Sequence, residues 1–144
     1  SSAVKREGAV FYLHFTATEL LAFGGVYSPE REELLAYRTL IQEHYEELEA
    51  ILRGKQLWKI AGSLQGEQLS RMPKGFPLDH PADALLRHKQ WYLECILDVK
   101  VVTSSRLVPE LARHFQAMAP LVEFLNRAMV PKKPAARKML FAGF

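Results

Sequence analysis

Cysteine is nearly absent from this sequence: Cys95 stands alone among 144 residues. A lone thiol makes no internal disulfide, so a core must hold the fold, and a reducing, cytoplasmic compartment is expected. Long apolar runs are missing too, and none approaches the ~20 residues a membrane-spanning helix needs. The opening SSAVKREGAVFYLHF sets charges before a short apolar run, but nothing like a cleavage site follows. No membrane partner is expected. The chain also lacks CxxC, HExxH and GxSxG motifs, and its glycines match neither a P-loop nor a dinucleotide fingerprint. His14, His44, His80, His88 and His114 are scattered, with no i, i+4 pair on a helix, so no metal and no cofactor is expected.

What the chain has is the composition of a globular protein, 49% apolar and 24% charged, with enough length for a real core. The net charge of +3 suggests nucleic acid until it is located. Lys132, Lys133, Arg137 and Lys138 all lie in the final PKKPAARKMLFAGF; without them fifteen cations face sixteen acids. The body is thus neutral, which weighs against nucleic acid as a partner. The expected organisation is one domain over residues 1–130 and a basic, Pro/Ala-rich tail over 131–144.

AVFYLHF at 9–15 and ELLAFGGVY at 19–27 have strand character on either side of the polar break at Thr16–Thr18, a β-hairpin pattern. Gly24-Gly25 suggests a bulge, or a close approach of another backbone or ligand. Phe11, Tyr12, Phe15, Phe23 and Tyr27 resemble a base-stacking platform, but no cations interleave with them, so a packed sheet face is expected. Ser28-Pro29-Glu30 starts a helix, with Ser28 as cap and Pro29 in the first turn. Leu34, the Arg38 stem, Ile41, Tyr45, Leu48 and Leu52 form its apolar face, and Arg53-Gly54 ends it. A short helix spans 55–61, a strand is possible near 68–72, and a further short helix follows His80-Pro81. QWYLECIL reads as a third strand, with Trp91, Leu93 and Cys95 on one face. The last helix runs over 105–129, with a kink expected at Pro120. The class is therefore α+β: a small antiparallel sheet of about three strands, 9–15, 19–27 and 90–97, with long helices 29–53 and 105–129 packed on one face.

Chemistry concentrates in RMPKGFPLDHPADALLRHK, residues 71–89. Arg71, Lys74, Arg87 and Lys89 surround a helix start, and with Asp79 they form a candidate cleft for an anionic small molecule. His80 and His88 are the only candidate proton donors or acceptors there. The competing reading is structural: Asp79 or His80 caps the helix, three prolines stiffen the loop, and Phe76 plugs the core. Cys95, mid-strand with no cation beside it in the sequence, is expected to be buried and inert. The other functional class is a non-enzymatic interaction module, acting through an exposed sheet edge, as in a homodimer, or through the basic tail.

FYLHF, FGGVYSPE, LSRMPKGFPLDHP, LLRHKQWY and PLVEFLNRAM occur in an order and spacing that resemble a bacterial family catalogued as domain of unknown function 2461. The resemblance covers most of residues 9–130. It implies an α+β domain in which Lys74-Gly75-Phe76 and Asp79-His80-Pro81 are signature elements, and it carries no activity to transfer. Family members usually have a further N-terminal portion before the strand matching AVFYLHF. The chain is therefore expected to correspond to the C-terminal part, with an open sheet edge if that portion supplies a strand.

Overall fold

The computed structural model describes residues 8–129, which leaves the expected tail at 131–144 outside the described residues. Three strands form one antiparallel sheet in the order β1 (Val10–Phe15), β2 (Glu19–Val26), β3 (Trp91–Asp98). The polar link between β1 and β2 is pinned locally. Thr16 accepts the Glu19 N–H at 2.9 Å through its hydroxyl, and its own N–H donates to the Glu19 carbonyl at 2.9 Å. Five helices accompany the sheet among the described residues: α1 (Arg31–Leu52), α2 (Lys55–Ala61), α3 (Asp83–Arg87), α4 (Val99–Val102) and α5 (Leu107–Asn126). The α+β class, the three strands and the two long helices expected from the sequence are all present.

Strand alternation sorts the side chains between two faces of the sheet. Leu20, Ala22, Gly24 and Val26 of β2 point one way with Trp91, Leu93, Cys95 and Leu97 of β3, and all are buried. Against this face lies α5, through Met118, Leu121, Val122 and Leu125. The outer layer is α1, which sends Tyr37 against the Trp91 ring at 5.7 Å and buries Ile41 and Leu48. Each large side chain so buried contributes on the order of 1.5–3 kcal/mol.

Four local expectations need correction. Gly24-Gly25 is not a bulge, because β2 pairs one to one with both neighbours through these residues. They serve close approach: a Cβ on Gly24 would stand 3.1 Å from Met118, and one on Gly25 would stand 2.2 Å from the Trp91 carbonyl oxygen, with φ at +137°. The first helix is capped two residues later than Ser28, where the Glu30 N–H donates to the Glu33 carboxylate at 2.8 Å. No strand forms at 68–72; isolated bridges join Gln65 to Tyr92 and Gln68 to His88. Finally, α5 continues as one helix through Pro120, with no residue of non-helical backbone. The non-helical backbone lies instead at His44 in α1, with φ −129° and ψ 33°, where neither proline nor glycine announces it.

Candidate functional site

The 71–89 segment leads from a turn into α3 and then β3. Its turn closes when the Phe76 N–H donates to the Pro73 carbonyl at 3.2 Å, with Gly75 at φ +91°. Phe76 packs against the core. His80 Nδ1 accepts the Ala82 N–H at 2.9 Å, one residue before α3 begins, and its ring meets Tyr45 edge-on at 5.1 Å; the first turn of α3 has no side-chain cap, against the expectation of Asp79 or His80 there. Of the candidate ligand-binding residues, Arg71, Lys74 and Asp79 are exposed. Arg87 holds Asp83 at 3.0 Å and the Leu69 carbonyl at 2.9 Å. Lys89 meets Glu67 at 3.2 Å, an exposed pair worth about 0–1 kcal/mol. Two of the four cations are therefore already committed to carboxylates, which leaves Arg71 and Lys74 to face solvent.

His88 is buried, stacked against Trp91 at 6.3 Å between ring centroids, and its Nδ1–H donates to the Ala84 carbonyl at 3.0 Å. Burial lowers its pKa, and the nearby Arg87 charge adds to this against the opposing Ala84 hydrogen bond. The side chain is thus held neutral within the core. Around it sits a polar node that no local pattern of residues announces. Arg38, read as an aliphatic stem on the apolar face, is itself buried. Its Nε donates to the Leu86 carbonyl and its Nη2 to the His88 carbonyl, each at 2.9 Å, and its guanidinium stands 6.0 Å over the Trp91 ring. The Trp91 indole N–H donates to the Leu85 carbonyl at 2.9 Å. The carbonyls left open at the end of α3 are thereby served by side chains of α1 and β3. The densest motif of the chain thus ties α1, α3 and β3 together.

Cys95 is buried, and desolvation with the neighbouring Glu94 charge pushes its thiol up to about 11. A thiol so raised holds little of the reactive thiolate. Among the described residues, no three His, Cys, Asp or Glu side chains stand close enough to hold a metal ion. Nor is any helix there long and apolar enough to cross a membrane.

The second candidate surface is the sheet itself. The aromatic residues expected to pack do so only in part, because the helices among the described residues cover one face alone. On the other face Tyr12, Phe23, Tyr92 and Tyr27 form a chain of rings 5.5, 6.0 and 5.0 Å apart. Tyr12 is 55% exposed, Tyr27 62% and Ile96 60%. Charge on this face comes from Glu19, Glu94 and Asp98, with no lysine or arginine in its strands. Carboxylates interleaved with aromatics give this face negative charge.

The two sheet edges differ as well. Residues 65–69 run beside the start of β3: Gln65 N–H donates to the Tyr92 carbonyl at 2.8 Å, and Lys89 N–H to the Glu67 carbonyl at 2.7 Å. At the other side, β1 pairs with β2 alone among the described residues. VFYLHF contains no Lys, Arg, Asp, Glu, Pro or Gly along that edge. The alternation was legible in the sequence. The open edge was expected only through the resemblance, because periodicity reports which residues share a face and not whether anything covers it.

The profile of the family described as conserved hypothetical protein (DUF2461) matches residues 1–124 of this chain, and the chain belongs to that family. No curated protein and no solved structure matches it.

Proposed function

We propose that this member of the conserved hypothetical protein (DUF2461) family is a non-enzymatic assembly module whose β1 edge pairs with β1 of a second copy, joining two three-stranded sheets. The observation that supports this is β1 itself: six β-prone residues on an edge that no other strand pairs with among the described residues, without the charges, prolines or bulges by which soluble sheets discourage such pairing. A two-fold axis across antiparallel β1 strands makes the contact self-complementary. The carboxylates Glu19, Glu94 and Asp98 repel face-to-face stacking of two copies and leave edge pairing as the economical geometry. The unpaired, buried Cys95 supports a reducing cytoplasm as the setting.

The anion-binding reading of residues 71–89 now rests on Arg71 and Lys74, and a shallow loop with two free cations supports it less well than the open strand supports pairing.

Light scattering across a concentration series tests the proposal. The expected species has twice the chain mass of 16.4 kDa. Tyr12→Lys, at a side chain already exposed, puts a charge on the edge and is expected to return the monomer without changing the circular dichroism spectrum. A monomer at every concentration for the unaltered chain would overturn the proposal.

A further inference from the structure

Beyond assembly, the end of the molecule where α2 meets α5 carries a separate charged groove. It encloses about 640 Å³, inside the roughly 300–1,000 Å³ range of small-molecule sites, and is lined by Arg53, Lys55, Gln56, Trp58, Lys59, Ile60 and Arg113. Four of these seven residues are cations and none is an acid. One carboxylate approaches from α5, where Glu110 holds Arg113 at 2.9 Å. The chain from Arg53 to Gly66 contains no Asp or Glu, so the excess of positive charge is built into the local sequence. Leu57 is buried and Ile60 half-buried, which fixes α2 against its neighbours and turns Lys55, Trp58 and Lys59 outward. Trp58 is 57% exposed. An exposed indole bordered by cations offers a flat stacking surface beside groups that hold an anion.

We propose that this groove binds a phosphorylated small molecule carrying a planar ring, of the size of a mononucleotide. The ring stacks on Trp58, and the phosphate is held by Lys55 and Lys59, one helical turn apart, with Arg53 and Arg113 at the sides. Stacking supplies the preference for a ring, and the paired ammonium groups supply the preference for a compact anion.

Titration with adenosine 5′-monophosphate, followed by tryptophan fluorescence, tests this. Trp58 is exposed while Trp91 is fully buried, so quenching by ligand reports on Trp58. Saturable quenching is expected, absent in Trp58→Phe. Affinity should fall by roughly tenfold or more in the Lys55→Ala/Lys59→Ala double variant, the loss due to one or two charge-assisted hydrogen bonds. Both lysines are exposed, so the variant is expected to fold, and unchanged circular dichroism checks it. Adenosine should bind at least roughly tenfold more weakly for the same reason. The proposal is overturned by absence of saturable quenching, by equal binding of adenosine, by equal binding of inorganic phosphate, or by an oligonucleotide that outcompetes the mononucleotide by orders of magnitude.

Discussion

The two faces of the sheet share strands, backbone hydrogen bonds and an apolar character, yet only one is a core. On the covered face Leu20, Leu93 and Trp91 are wholly removed from water, while on the other side of the sheet Tyr12 and Ile96 remain more than half exposed. Aromatic and β-branched residues are therefore no sign of burial by themselves. What separates the faces is the length of side chain tolerated at the helix contact. Gly24 lets Met118 come within van der Waals distance, and Gly25 lets β3 approach, so that α5 seats closely on one side. No described helix reaches the other.

The comparison can be broken most forcefully from the covered side. Trp91→Ala removes the ring packed against Tyr37, Arg38 and His88, and is expected to cost about 3–5 kcal/mol. Urea denaturation reads this as a lower midpoint; a midpoint within error of the unaltered chain would mean that the node around Trp91 does not bear on stability.

A smaller effect comes through pH. Because burial lowers the pKa of His88, the unfolded chain takes up its proton first as pH falls. Stability from the neutral ring is fully present above the unfolded value of about 6.5 and is lost as pH drops from there toward the lowered folded value. Melting temperatures at pH 7.5 and 5.5 are expected to differ more for the native chain than for His88→Gln. An equal difference in both would place the titration elsewhere.

The smallest effect belongs to the open face. Ile96→Thr keeps the β-branch at a side chain 60% exposed and is expected to shift stability by no more than about 0.5 kcal/mol. A loss of core size would mean that a partner covers this face in solution, which sharpens the contrast between the two sides.

Much of the architecture was legible because periodicity is local. The alternation in β3 and the three-and-four spacing in α1 and α5 specify elements and faces without knowledge of the fold. The C-terminal glycine of α2, Gly62, at φ +70°, was readable for the same reason. Site residues were harder. Arg87, His88 and Lys89 are adjacent in sequence and polar alike, yet one pairs with Asp83, one is buried on Trp91, and one meets Glu67 at the surface. Distant partners complete each environment: Arg87 also reaches the Leu69 carbonyl, the His88 carbonyl accepts from Arg38 of α1, and Lys89 meets Glu67. Arg38 is the clearest case, since its partners are carbonyls 48 and 50 residues distant that no side-chain pattern reveals.

The sequence by itself determined the α+β class, the three strands, the two long helices and the inert environment of Cys95, because each follows from local spacing and neighbouring charge. Only the tertiary structure decided that His88 and Arg38 form a buried node, that β1 pairs on one side alone among the described residues, and that Arg53, Lys55, Lys59 and Arg113 line one groove. Those facts depend on which distant surfaces meet, and burial is a property of both partners in a contact.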